Sequence, residues 1–275
     1  MSIAQRNNIR MTGSGTRAAK RTMVMAHGFG CDQTMWRYLT PAFEHDYRIV
    51  TFDLVGSGSS DLSAYDAGKY NSLEGYAADL IEIVNEVTDA DAREPVVFVG
   101  HSVSAMIGLI AGVRSPGLFA AQIMVGPSPC YVNDGDYIGG FSRADIEDLL
   151  STLEGNYLGW SSTMAPVIMG APDQPELGVE LTNSFCRTNP EIAQHFARVT
   201  FLSDHRDLLP RATAPTLILQ SSDDIIAPCS VGEYMHRMMP ASTLNVIENT
   251  GHCPHLSSPA ASAAAISAFL GTLSL

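Results

Sequence analysis

The sequence predicts a mostly parallel α/β sheet flanked by helices on both faces, and three observations carry that expectation. From Thr22 to Gly126, short β-prone apolar runs alternate with helical stretches at the spacing of right-handed crossovers. The alternation lapses after Gly126 and resumes at Pro215-Thr216-Leu217-Ile218-Leu219-Gln220. Several of the runs end in loops bearing glycine and polar residues, which sets reactive side chains at the carboxyl edge of the sheet, where such sheets bind ligands.

Composition is consistent with this class and excludes others. A chain of 275 residues, 45% hydrophobic and 16% charged, suits one large α/β unit with an insertion and a sizeable core. A net charge of −13 argues against nucleic acid or an anionic membrane as partner. No uninterrupted apolar run reaches spanning length, and the start, MSIAQRNNIRMTGSG, has no apolar signal core. Five scattered cysteines, Cys31, Cys130, Cys186, Cys229 and Cys253, read as reduced thiols, so a cytoplasmic setting is expected.

Along the chain, Met1–Arg21 is polar, and Gly13-Ser14-Gly15 reads as the turn of a hairpin between two edge strands. Thr22-Met23-Val24-Met25-Ala26 is a buried strand ending in His27-Gly28-Phe29-Gly30. Glycines on both sides of Phe29 allow close backbone approach, either as a plain turn or to offer the Phe29 amide to an oxyanion. Met35–Leu39 is a short helix on the sheet. Tyr47–Phe52 is the next strand, followed by Asp53-Leu54-Val55-Gly56-Ser57-Gly58-Ser59-Ser60-Asp61. That loop fails the dinucleotide pattern, since Asp61 replaces the last glycine and no helix follows. Ser72 stands as a cap before an amphipathic helix with Leu73, Tyr76, Leu80, Ile83, Val84 and Val87 on one face.

Val96-Val97-Phe98-Val99-Gly100-His101-Ser102-Val103-Ser104 is the pivotal stretch. A buried strand turns abruptly into a small-residue helix with Ser102 at the apex, which lifts a hydroxyl beside the next amide and the helix N-terminus. After the strand Gln122–Gly126, residues 127–204 read as an all-helical insertion. Its segments begin near Ser142, Tyr157, Glu176 and Glu191, with Ser142 and Asp145 as a capping pair and Pro190 at a helix start. An aromatic-rich insertion placed after a central strand is suited to roof the carboxyl edge. Any single one of its aromatics also fits ordinary helix packing. Strands at Pro215–Gln220 and Thr243–Ile247, a helix over Ser230–Met239 and a closing helix over Pro259–Leu270 complete the chain.

Three residue types then fall in a telling order. Ser102, an acid at 223 or 224 and a histidine at 252 or 255 each follow a strand end, in the order Ser…Asp…His. A serine attacks only when a histidine takes its proton, and a buried carboxylate must hold that histidine's tautomer. Asp224 is preferred because it precedes Pro228 by four positions, and His252 because Gly251 lets the loop present the ring. His252, Cys253 and His255 lack the further ligands of a metal site, so no metal and no cofactor are expected.

The motifs HGFGCDQTMW, FDLVGSGSSD, VGHSVSAMIG, GPSPCYVND, GGF, LILQSSDDIIAP, VGEYMH and GHCPH resemble one branch of the α/β-hydrolase family. That branch holds the bacterial stress regulator RsbQ, to which the motifs point most closely, and the plant strigolactone and karrikin receptors. The resemblance spans about Thr22 to Leu270. It implies a catalytic triad of Ser102, Asp224 and His252, with oxyanion donors from the backbone of Phe29 and Val103. It implies a four-helix V-shaped lid (residues 127–204) over a core formed by residues 1–126 and 205–275. It also implies a pocket lined by Phe29, His101, Tyr131, Phe141, Trp160, Phe201 and Ile226. One departure stands out: Ser104 replaces the second glycine of the broad G-x-S-x-G pattern, which bears on how closely helix and strand approach.

The expectation is a slow serine hydrolase of a small apolar ester or lactone of butenolide type. By the resemblance it serves stress signalling with a PAS-domain phosphatase or another PAS protein as partner. The alternatives are a stand-alone catabolic carboxylesterase or lactonase, and a ligand-binding receptor with vestigial activity. Dehalogenase and epoxide-hydrolase chemistry are disfavoured because they need a carboxylate where Ser102 stands.

Overall fold

The computed structural model describes residues 1–13, 21–88 and 95–273. Its sheet has seven strands: β1 (Arg10–Thr12), β2 (Thr22–Ala26), β3 (Arg48–Phe52), β4 (Val96–His101), β5 (Phe119–Val125), β6 (Thr216–Asp223) and β7 (Ser242–Thr250). They lie in the order β1-β3-β2-β4-β5-β6-β7, with only β1 antiparallel to its neighbour.

Why a sheet of this kind forms is visible in β4, whose six residues are all buried. Side chains alternate across a strand, so a central strand covered on both faces must be apolar throughout. Val97 and Val99 enter one core cluster while Val96 and Phe98 enter the other. Met23 and Met25 against Val24 and Ala26 repeat that division on β2. One face is covered by α2 (Leu73–Val87), α3 (Val103–Arg114) and α8 (Cys229–Met238), the other by α10 (Pro259–Gly271) and the turn around Trp36. Shorter helices α1 (Ile3–Arg6) and α9 (Pro254–Ser257) complete this part.

Two expectations about local structure need correction. β1 is an edge strand, but it pairs with β3, through Arg10 with Thr51 and Thr12 with Ile49, rather than forming a hairpin with the strand that follows it. The Ser14-Gly15 part of the expected turn lies outside the described residues. Ser72 does occupy the N-cap of α2, but its side chain makes no capping bond.

Between β5 and β6 the chain runs through α4 (Arg143–Gly155), α5 (Tyr157–Met169), α6 (Pro175–Arg187) and α7 (Pro190–Phe201). Ser142 and Asp145 form a reciprocal capping box at α4, and Asn189 accepts from the Glu191 and Ile192 amides at α7, directly before Pro190 at the first helical position. The two ends of the insertion are fastened together, since Cys130 bridges Asp204 and the His205 amide donates to Pro129 O at 2.8 Å. The four helices therefore enter and leave the sheet at one place, above the carboxyl ends of β4, β5 and β6.

Candidate active site

Ser102 caps β4 with φ +55° and ψ −122°, a conformation a side-chain-bearing residue holds only when its surroundings impose it. The turn is imposed from both ends. The Ser102 amide donates to Val125 O at 2.8 Å and the Ser102 carbonyl accepts from Ala105 N at 2.9 Å. Ser104, the departure from the glycine pattern, is fully buried and its hydroxyl donates to the His27 carbonyl. Helix and strand still approach closely, because a Cβ on Gly100 would lie 2.7 Å from the Ser104 carbonyl carbon. The serine at 104 thus ties the elbow to the neighbouring β2 loop.

Asp224 and Asp223 part company in space. Asp223 is exposed, whereas the Asp224 side chain is fully buried. Asp224 Oδ1 accepts from the amides of Ile226 (2.8 Å) and Ala227 (3.1 Å), which leaves Oδ2 for His252 Nδ1 at 2.7 Å. A carboxylate only accepts, so Nδ1 carries the proton and Nε2 is the bare nitrogen. That nitrogen lies 2.8 Å from Ser102 Oγ. Ser102, His252 and Asp224, from three loops 150 and 28 positions apart, form one buried hydrogen-bonded chain. His255, the other sequence candidate, instead packs against Trp36 with ring centroids 4.7 Å apart, and neither of its ring nitrogens has a partner among the described residues.

The His252 loop is held from two sides. Its amide donates to Ile168 O in α5 at 2.9 Å, and its carbonyl accepts from His101 Nε2 at 2.9 Å. Gly251 makes this seating possible: its φ is +106°, and a Cβ there would lie 1.9 Å from Met169 O. The loop after β2 is equally tight. A Cβ on Gly28 would lie 2.5 Å from His101 Nδ1, and one on Gly30 would fall inside the Phe185 ring. Among the described residues, neither the Phe29 nor the Val103 amide has an intramolecular acceptor. Asp53 shares this sheet edge but its carboxylate is consumed by its own loops, accepting from Asn8 Nδ2, Gln33 N and Ser59 N.

Above the serine lies a narrow cavity between the sheet loops and the insertion. Its core-side wall is Phe29, Cys31, His101, Ser102, Ile226, His252 and Cys253; the opposite wall is Tyr131, Trp160, Ile168, Leu181, Phe185, Thr200 and Phe201. Of the sequence-expected lining residues, all but Phe141 are there. Phe141 instead bridges Val132 and donates its amide to Tyr131 O, so it braces a lining residue without lining. Nothing in the sequence marks Phe185, Leu181, Ile168, Thr200, Cys31 or Cys253 as lining. The Gly30 contact is the nearest thing to a signal for Phe185, and only the folded chain shows it. Phe29 is the hub of the aromatic wall, with Trp160, Phe185, Phe196 and Phe201 at centroid distances of 5.6 to 6.4 Å.

The cavity's titratable groups are tuned by burial. Burial, aided by the neighbouring His255 and His252, holds His101 well below the ordinary imidazole value, so its ring is neutral. Burial pushes the Tyr131 phenol up to about 12 and the Cys253 thiol well above its usual range. Among the described residues, His101, Cys253 and His255 bring one donor atom each within 4.8 Å of one another. A metal ion there would have to take the His101 Nε2 proton from the His252 carbonyl and ionise a thiol that burial keeps protonated, so these residues do not fit a metal centre.

A parallel sheet with a serine elbow and a helical insertion after its fifth strand defines an α/β protein of hydrolase type. The chain belongs to the α/β hydrolase family, whose profile matches residues 23–265. It is 39% identical to a probable esterase of Oryza sativa subsp. japonica over 258 residues, covering 94% of this chain and 93% of that one. It is 38% identical to a strigolactone esterase of Arabidopsis thaliana, covering 94% of each. Among solved structures, a hydrolase from Oleispira antarctica superposes with a TM-score of 0.92 at 41% identity, over 99% of this chain and 97% of that one.

Proposed function

We propose that the protein is a serine hydrolase of small, largely apolar esters or lactones, butenolides among them. The observation that carries this reading is the unbroken chain from Ser102 Oγ through His252 to Asp224 at the floor of a covered apolar cavity. In it, His252 Nε2 takes the Ser102 proton as Oγ attacks the carbonyl carbon, and Asp224 stabilises the imidazolium that forms. The Phe29 and Val103 amides, without other acceptors, stabilise the oxyanion. The imidazolium then protonates the leaving alkoxide, and water, activated by the same histidine, releases the acid and restores Ser102. In this reading residues 127–204 are a lid and the remainder the core.

The family relatives named esterases support hydrolysis of a small ligand. A finer reading adds stress signalling through a PAS-domain partner, in the manner of RsbQ, within a reducing cytoplasm. It rests on the motif resemblance and on five unpaired cysteines. The receptor reading has its own support in a relative named karrikin insensitive 2 receptor CA of Petunia hybrida, 38% identical over 258 residues.

The test is intact-mass spectrometry after brief incubation with 4-nitrophenyl esters and butenolide lactones, wild type beside Ser102→Ala. Product release with a mass adduct that vanishes in Ser102→Ala is expected. Binding seen as a thermal shift, without turnover or adduct, would replace the hydrolase reading with the receptor reading.

A further inference from the structure

Thr200 differs from most hydroxyl residues of the neighbouring helices in being both buried and unbonded. In helices α5 and α6, Ser161, Ser162, Thr163 and Thr182 each donate back to the carbonyl four residues earlier, at 2.7 to 3.1 Å. This is the usual resting place of a helical hydroxyl. Thr200, in α7, is 1% exposed, its Oγ has no partner among the described residues, and it lines the cavity on the wall opposite Ser102. A buried hydroxyl without a partner destabilises the fold, and a valine would fill the same volume without that cost. His101 Nδ1 is the other orphaned polar atom on a lining residue, and the Gly28 backbone seals it. The rest of the wall that the insertion supplies is hydrocarbon and aromatic, apart from the Tyr131 phenol and the Trp160 indole N–H.

We infer that Thr200 Oγ is a second recognition point, donating a hydrogen bond to an oxygen of the bound ligand remote from the carbonyl presented to Ser102. The ligand class narrows accordingly, to esters or lactones carrying a further ether, ring or carbonyl oxygen. This deepens the hydrolase reading and rests on the cavity being its substrate site. Thr200 then sorts ligands without touching the reacting atoms, so its signature belongs in binding and KM, with kcat left alone.

Two isosteric probe pairs test it: phenyl pentanoate against phenyl 3-methoxypropanoate, and 4-ethylphenyl acetate against 4-methoxyphenyl acetate. Each pair exchanges one CH₂ for oxygen, in the acyl or the leaving group. Binding is read from the intrinsic tryptophan fluorescence of Trp36 and Trp160 in a Ser102→Ala background, and turnover separately with Ser102 intact. Thr200→Val is expected to weaken the oxygen-bearing member of at least one pair about three- to tenfold relative to its partner. Thr200→Ser is expected to restore the preference, and kcat to stay within about twofold. Equal effects on both members of each pair, or none, would overturn the inference, as would failure of every probe to bind. Discrimination in binding without any turnover would leave Thr200 its role and remove the hydrolase reading instead.

Discussion

The two walls of the cavity are built on different principles. The sheet-side wall is a set of loops whose backbones are fastened atom by atom: Ser102 to Val125, Asp224 to Ile226 and Ala227, His252 to Ile168 and His101. The helical wall is held by side-chain packing, with Phe29 meeting Trp160, Phe185 and Phe201, and Tyr131 meeting Phe201 at 5.0 Å. Hydrogen-bonded loops fix positions to tenths of an ångström, which proton transfer demands. Packed helices fix volume and shape, which selection of a ligand demands. On the proposed hydrolase reading, the difference teaches that mutations in one wall change whether reaction occurs, and mutations in the other change what reacts.

That contrast can be broken most forcefully at the fastened wall. Ser102→Ala is expected to lower kcat about ten-thousandfold or more with Kd for a probe ester nearly unchanged, measured by product release and by fluorescence titration. A comparable loss of binding would show that the loops shape the cavity as well. Phe185→Ala probes the packed wall. Phe185 is 1% exposed and covers Gly30, so its truncation is expected to cost about 3–5 kcal/mol in urea unfolding. It should also shift the kcat/KM optimum toward bulkier acyl groups, and an unchanged optimum would sink the division.

Gly251→Ala tests the seam between the walls. Backbone strain alone is expected to cost about 1–3 kcal/mol, before the clash with Met169 O is relieved. Turnover should fall with it. Gly155→Ala, where no heavy atom lies within 4 Å, serves as the control and should be close to neutral. The pH-dependent effect belongs to His255, a buried imidazole whose ring nitrogens have no partner among the described residues. Desolvation holds it down to about 3 in the folded chain, against 6.5 for the free group. The unfolded chain therefore binds the extra proton across that window. Folded stability is complete above about 6.5 and falls as pH drops toward about 3, with a slope of up to about 1.4 kcal/mol per pH unit from this group. His255→Gln should shed that share of the slope in urea titrations run from pH 7 to 4; an unchanged slope would place the sensitivity elsewhere.

The two walls also differ in how much of them the sequence discloses. Strand-end punctuation locates the Ser102, Asp224 and His252 loops, because a turn of this kind needs particular residues at particular positions. The helices of the insertion are equally plain, down to the Ser142–Asp145 capping box and Pro190 at the first position of α7. Which of their residues face the cavity is not. Helical periodicity gives a helix an apolar face, but the crossing of α5, α6 and α7 decides that Phe185 and Thr200 look inward. Phe141 shows the limit well: an aromatic in the right segment, diverted by a backbone bridge to Val132. The pairing of β1 with β3 is hidden for a similar reason, since three exposed residues carry no register signal.

The seating of Gly251 against the end of α5 has a mechanical consequence. His252 hangs between two anchors, Ile168 O in the insertion and His101 Nε2 in the sheet loop. A glycine contact with no side chain between the backbones has no slack to absorb movement. Any displacement of the α5 terminus large enough to part the Ile168 bond therefore drags or releases the imidazole with it. The position of the α5 terminus and the alignment of the His252 ring are then one coordinate, and whatever fills the cavity sets both at once.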